Sequence, residues 1–163
     1  MTNAVGPGVS NVQVLRLSVP RLSDALMKAI DDSLNLIPNA AGDLVWAPPA
    51  ALSPGIVDEA KSVCAPFAAA LEPASDAYKL RWLSQLEQLV SGATSPEEGV
   101  TRIRAMIRDL DHPALCFTDE TRREAARRFK YLPAFADLAP FLDDVVRPHL
   151  QRLRRLKRIA SMG

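Results

Sequence analysis

The sequence predicts one irregular all-α domain of about five or six helices behind a flexible or extended N-terminal arm. Three observations carry this fold class. Apolar residues recur at spacings of three and four through most of the chain. Ser53-Pro54, Ser95-Pro96 and Thr118-Asp119 stand where helices would begin. The 13 prolines against 7 glycines suit helices joined by stiff turns better than strands joined by tight ones. A length of 163 residues fits one domain with a self-sufficient core. An apolar fraction of 48% with 24% charged residues excludes wholesale disorder.

Residues 1–18 form the expected arm. Gly6, Pro7 and Gly8 oppose a helix there, and Val12, Val14, Leu15 and Leu17 are expected to lie extended against the body. Residues 19–163 form the helical domain. Its first helix is expected to start near Pro20, with Ser18 as a nearby cap. Leu22, Leu26, Ala29, Ile30, Leu34 and Ile37 make its stripe, and Pro38 and Asn39 end it. Residues 39–52 read as a loop in which Trp46 closes over the core.

Ser53-Pro54 opens a second helix, with Asp58 and Glu59 near its positive end and a stripe through Val57, Ala60, Val63, Cys64, Phe67 and Leu71. Pro66 is expected to kink or split it. A third helix follows Ser75, with Leu80, Leu83, Leu86, Leu89 and Val90 on the buried face and Trp82 beside them. After a turn at 92–94, Ser95 caps a fourth helix, with Pro96 at its first position and Glu98 closing a capping box. Val100, Ile103, Ile107 and Leu110 line it until Asp111-His112-Pro113.

Thr118 caps the next helix, whose apolar face is Ala125, Ala126 and Phe129. After a break at 130–133, a last helix runs over about 134–160. Leu138, Phe141, Leu142, Val145, Val146, Leu150, Leu153 and Leu156 form its apolar side, bent at Pro140 and Pro148. Phe129 and Leu138 are expected to be buried where these two helices meet.

The chemistry is sparse. No phosphate-cradling glycine loop, Walker pattern or nucleophile elbow can be read. The adjacent carboxylate pairs Asp31-Asp32, Asp58-Glu59, Glu97-Glu98 and Asp143-Asp144 point about 100° apart on a helix and do not make an acid/base pair. A metal site would need His112, Cys116, Cys64 and a carboxylate to converge, and Pro113 spoils a helical His112/Cys116 pair. His112 reads instead as a surface histidine beside a buried thiol. The expectation is a protein that is not an enzyme and has neither metal nor cofactor.

No apolar run approaches the ~20 residues of a membrane span, so no membrane partner is expected. Residues 1–20 lack the continuous apolar core of a signal peptide. Cys64 and Cys116, both in apolar contexts, therefore read as reduced, buried thiols, and the expected location is cytoplasmic.

The formal net charge of +1 hides an imbalance. Residues 1–121 hold 9 Lys+Arg and 15 Asp+Glu, a balance of −6, whereas residues 122–163 hold 11 and 4, a balance of +7. The candidate binding residues are accordingly Arg122, Arg123, Arg127, Arg128, Lys130, Arg147, Arg152, Arg154, Arg155, Lys157 and Arg158. Three readings of this basic end stand open. It binds nucleic acid in a salt-dependent way, it docks on an acidic protein, or it packs against its own acidic body. Phe129, Tyr131, Phe135 and Phe141 interleave with it, as stacking platforms for bases or as core.

Residues 121–142 read T-R-R-E-A-A-R-R-F-K-Y-L-P-A-F-A-D-L-A-P-F-L. This stretch resembles the C-terminal half of small phage and prophage proteins of proteobacteria: an alanine-bearing helix, a basic segment, then F/L-P-x-x-A-E/D-L opening a long final helix. Leu132-Pro133-Ala134-Phe135-Ala136-Asp137-Leu138 occupies the last part, with Leu132 and Asp137 where relatives often have phenylalanine and glutamate. Leu110 and Pro113 stand where an upstream L-x-x-x-P segment would lie, one residue shorter here as L-x-x-P. The resemblance implies a replication-accessory, helicase-loader-like role. The expected function is thus a non-enzymatic accessory protein of phage or mobile-element DNA metabolism that binds a protein partner, DNA or both through its basic C-terminal region. The alternative is a protein-only adaptor or inhibitor docking on a host or viral assembly. Oligomeric state and partner identity are not written in the chain.

Overall fold

The computed structural model describes residues 18–31, 35–90 and 95–163. Among them are six α-helices and one small hairpin, so the expected all-α domain is found. The helices are α1 (Asp24–Asp31), α2 (Pro54–Ala70), α3 (Asp76–Leu89), α4 (Pro96–Asp109), α5 (Asp119–Arg128) and α6 (Phe135–Ala160). A 3-10 turn at Ala114–Cys116 joins α4 to α5. Of the expected arm, only Ser18 falls among the described residues, as do neither Leu34 nor the turn at 92–94.

The first helix begins later than the sequence suggested. The Ser23 hydroxyl accepts from the Leu26 amide at 3.1 Å, which makes Ser23 the cap rather than Ser18. The Ser23 hydroxyl and amide also donate to the Glu59 carboxylate, at 2.6 and 2.8 Å, and so tie the start of α1 to α2.

Residues 36–46, read partly as helix and partly as loop, are a β-hairpin. Strands β1 (Leu36–Pro38) and β2 (Leu44–Trp46) pair antiparallel, with Leu36 opposite Trp46 and Ile37 opposite Val45. The five-residue connection is built locally. The Asn39 side-chain oxygen accepts from the amides of Ala41 and Asp43, both at 2.9 Å, and Gly42 takes a φ of +86° that strains other residues.

Pro66 lies inside α2 without splitting it, and Pro140 and Pro148 lie inside a continuous α6 of 26 residues. Each is exposed, so its freed carbonyl one turn back can turn to water. In α3 the buried face is Lys79, Trp82, Leu83 and Leu86, whereas Leu80 and Leu89 are exposed. Trp82 is core, not a neighbour of the core. Its indole donates to the Thr118 carbonyl at 2.8 Å and its ring meets Phe117 edge-on at 5.5 Å.

In α4, Ser95 accepts from the Glu98 amide at 3.3 Å, which is half of the expected capping box. Val100 is exposed and Gly99 takes the buried position instead. The end of the Glu87 side chain of α3 lies over Gly99, where a Cβ would meet its carboxylate, so the missing side chain makes room for that carboxylate. The complete capping box is at α5, where Thr118 and Thr121 each accept the other's amide, at 3.2 and 3.0 Å.

The core is in two parts. The first gathers α3, α4, the 3-10 turn, α5 and the first half of α6 around Trp82, Leu86, Ile103, Leu138 and Leu142. The second gathers α1, Trp46, α2 and the last half of α6 around Leu26, Ile30, Phe67, Leu156 and Ile159. Helix α6, about 39 Å long by its rise per residue, walls both. Leu71 packs against each part. Leu138 is fully buried as expected. Phe129 is half-buried, edge-on to Phe141 at 6.0 Å, while Leu150 is exposed.

Candidate interaction surfaces

The eleven basic residues of the C-terminal end do not form one surface. On α5, Arg122 is bound to Asp119 at 2.9 Å and to the Gln85 side chain. Arg128 lies 5.8 Å from the rings of both Phe129 and Phe141, and Lys130 lies 5.4 Å from Tyr131. Arg123 and Arg127 are exposed. On α6, Arg147 pairs with Asp144 at 2.8 Å in full view of solvent. Arg128 reaches α6 at Phe141, and Arg154 comes 13 positions later. The contact of Arg128 at Phe141 and Arg154 are therefore about 20 Å apart along the helix axis, with the Asp144-paired Arg147 between them.

Half of the α6 set is turned onto the chain's own body. Arg152 pairs with Asp31 at the end of α1, at 3.3 Å. Arg155 donates to the Ile30 carbonyl, and Arg158 donates to the Trp46 carbonyl at 3.1 Å. The same two guanidinium groups lie over the Trp46 ring, 5.3 and 5.6 Å from its centre. The Trp46 indole donates in turn to the Ala29 carbonyl at 3.3 Å. Trp46 is thus the lid that the sequence suggested, held down by two arginines and the orphan carbonyls at the end of α1. Arg154 and Lys157 remain exposed.

What the clamp leaves outside is apolar. Trp46 and its opposite Leu36 share a hairpin face, and the pair Ile37 and Val45 lies on the other. Leu36, Ile37, Leu44 and Val45 are all exposed, Ile37 at 51% and Leu44 at 65%. No third strand covers either edge among the described residues. Sequence reading missed this surface because Leu34 and Ile37 prolong the helical spacing of α1 and each strand has only three residues. The turn residues Asn39, Gly42 and Asp43 are the signal that would have found it.

The histidine and cysteines sit apart. His112, expected at the surface, is buried, with its Nε2 2.8 Å from an Asp143 oxygen of α6. Its backbone carbonyl accepts from the Ala74 amide at 2.9 Å, so the link between α4 and α5 is sewn to both neighbours. Cys116 is buried in the first core part, where burial, and secondarily Asp143, pushes its thiol up to about 12. Cys64 is half-buried against the second part, and both thiols are free. Burial also raises Cys64, with Lys157 opposing. Among the described residues, no three His, Cys, Asp or Glu side chains are placed to hold a metal ion. No described helix is long and apolar enough to cross a membrane.

A second surface lies on the outer side of the antiparallel pair α3 and α4. An open cleft of about 500 Å³ is lined by Asp76, Ala77 and Leu80 of α3 and by Arg104, Ile107 and Arg108 of α4. No protein-family model matches the chain, and no curated protein or solved structure matches it.

Proposed function

We propose that the chain is a non-enzymatic adaptor that binds a protein partner through its apolar hairpin. The observation that carries this reading is the exposure of Leu36, Ile37, Leu44 and Val45 on a hairpin anchored by Trp46. A short, exposed, apolar hairpin is costly in solution and open to edge pairing. Anchoring it to rigid helices supports a use as a contact surface, since a fixed surface loses less entropy on binding. The setting in phage or mobile-element DNA metabolism rests on the resemblance of residues 121–142.

Nucleic-acid binding is the second reading. It draws on the exposed Arg123, Arg127, Arg154 and Lys157, which have no ion pair among the described residues. Inward use of Arg152, Arg155 and Arg158 leaves it fewer phosphate contacts than the count of charges suggests.

Affinity capture from a bacterial lysate separates the two. Ile37→Thr, Leu44→Thr and Val45→Thr together keep strand propensity and remove the apolar surface. This variant is expected to lose the captured partner, while glutamine at Arg123, Arg127, Arg154 and Lys157 leaves capture intact. Capture that survives the threonines and fails with the glutamines, with salt-sensitive retention of labelled DNA, contradicts the adaptor reading.

A further inference from the structure

We infer that the cleft between α3 and α4 is a docking groove for an acidic amphipathic helix of a partner protein, a site separate from the hairpin. Its lining mixes apolar and charged side chains, the apolar part being Leu80, 42% exposed, beside Ala77, Ala105 and the buried Ile107. Val100, 46% exposed, lies just outside that lining, one turn before Arg104 on α4. Its rim is basic. Arg104 and Arg108 stand one turn apart on the same side of α4, exposed and without an ion pair among the described residues. Inside α4 the positions three and four residues away hold Val100, Thr101, Ala105 and Ile107 and no acid, and Asp111, three residues after Arg108, lies beyond the end of the helix. Like charges at this spacing repel, which weakens the helix slightly and is relieved by a bound anion.

The lining carboxylate does not neutralise them. Asp76 is held by Lys79, 3.1 Å away across one turn of α3. Lys79 itself is committed to the end of α4, donating to the Ile107 and Leu110 carbonyls at 2.8 Å each.

Spacing and polarity select the occupant. Arg104 and Arg108 are separated by about 6 Å along the axis, the rise between two carboxylates at i and i+4 of a facing helix. Apolar side chains at the neighbouring i+3 and i+7 positions of that helix would cover Leu80 and Val100. A phosphate chain would satisfy the arginines and leave those two apolar side chains in water. An uncharged helix would do the reverse.

Titration of the full chain against a fluorescent model peptide tests this. The peptide has about 14 residues, four helical turns, with leucines on one face and glutamates one turn apart beside them. A shuffled peptide of the same composition is the control. Binding is expected for the patterned peptide alone. Arg104→Gln with Arg108→Gln is expected to weaken it about tenfold, and Leu80→Ser to weaken it as well. Arg104→Glu with Arg108→Glu is expected to restore binding to a peptide whose glutamates are lysines. All these positions are exposed, and circular dichroism checks each fold. The hairpin threonine variant is expected to bind the peptide as wild type does, so loss of the hairpin reading leaves this one standing, and the converse. The inference is overturned if the shuffled peptide binds equally or if the glutamine variant binds unchanged. It is overturned too if a labelled oligonucleotide binds through Arg104 and Arg108 while the peptide does not. A concentration-dependent dimer abolished by Leu80→Ser assigns the groove to a second copy and overturns it as well.

Discussion

Single side chains in this protein carry more than their type foretold. Lys79 is 5% exposed, although lysine is among the residues least often buried. Its ammonium closes the end of α4 by meeting two carbonyls that no helical amide reaches. Lys79→Met keeps the stem and removes the donor. It is expected to cost about 2–4 kcal/mol in denaturant titration, because two buried acceptors lose a charged partner. A cost below ~1 kcal/mol would mean that water serves those carbonyls equally well. Cys116 gives a pH signature. Its thiol is raised by burial and then by Asp143 to about 12, so the folded state keeps a proton that the unfolded state loses near 9. The corresponding stability is complete below pH about 9 and is lost as pH rises toward about 12. Cys116→Ala is expected to flatten the alkaline fall in stability relative to wild type, whatever its cost at neutral pH. Equal slopes would place the thiol in water. The burial of Cys116 is legible in its apolar context, whereas the roles of Lys79 and Asp143 are not, because they depend on which neighbours the fold brings close.

At the scale of elements, legibility followed the strength of local signals. Ser95 and Thr118 each cap the helix that follows them, as expected, and the long stripe of α6 is where its spacing put it. Local chemistry at a helix start is short-ranged, so it survives into the fold. Failures came where two patterns overlap. Ile37 satisfies a helical stripe and a strand equally, and its pairing with Val45, beside that of Leu36 with Trp46, decides between them. The stripe of α3 was misplaced around the helix for a related reason. Leucine count favoured Leu80 and Leu89, but Trp82 and the stem of Lys79 bury more surface against α4 and α5. Pro66, the one proline expected to split or kink its helix, leaves α2 unsplit. Like Pro140 and Pro148 it stands exposed on a helix whose opposite face is packed, and packing outweighs one lost backbone bond.

For the whole molecule, the charge asymmetry was readable and its use was not. Counting placed +7 on residues 122–163, whereas the fold divides those charges between α5 and the end of α6. It spends Arg152, Arg155 and Arg158 on α1 and on Trp46. One long helix therefore serves as the common wall of two core parts and as the anchor of the exposed hairpin. Amide hydrogen exchange across residues 36–46 tests that arrangement most directly. Arg155→Gln with Arg158→Gln removes both cations over Trp46 and both carbonyl contacts, so exchange in the hairpin and at the end of α1 is expected to accelerate while α4 is unchanged. Arg154→Gln with Lys157→Gln removes the same formal charge from exposed positions and is expected to leave hairpin exchange as in wild type. Equal protection of residues 36–46 in both variants would contradict the inward use of the arginines and return the basic run of α6 to the solvent.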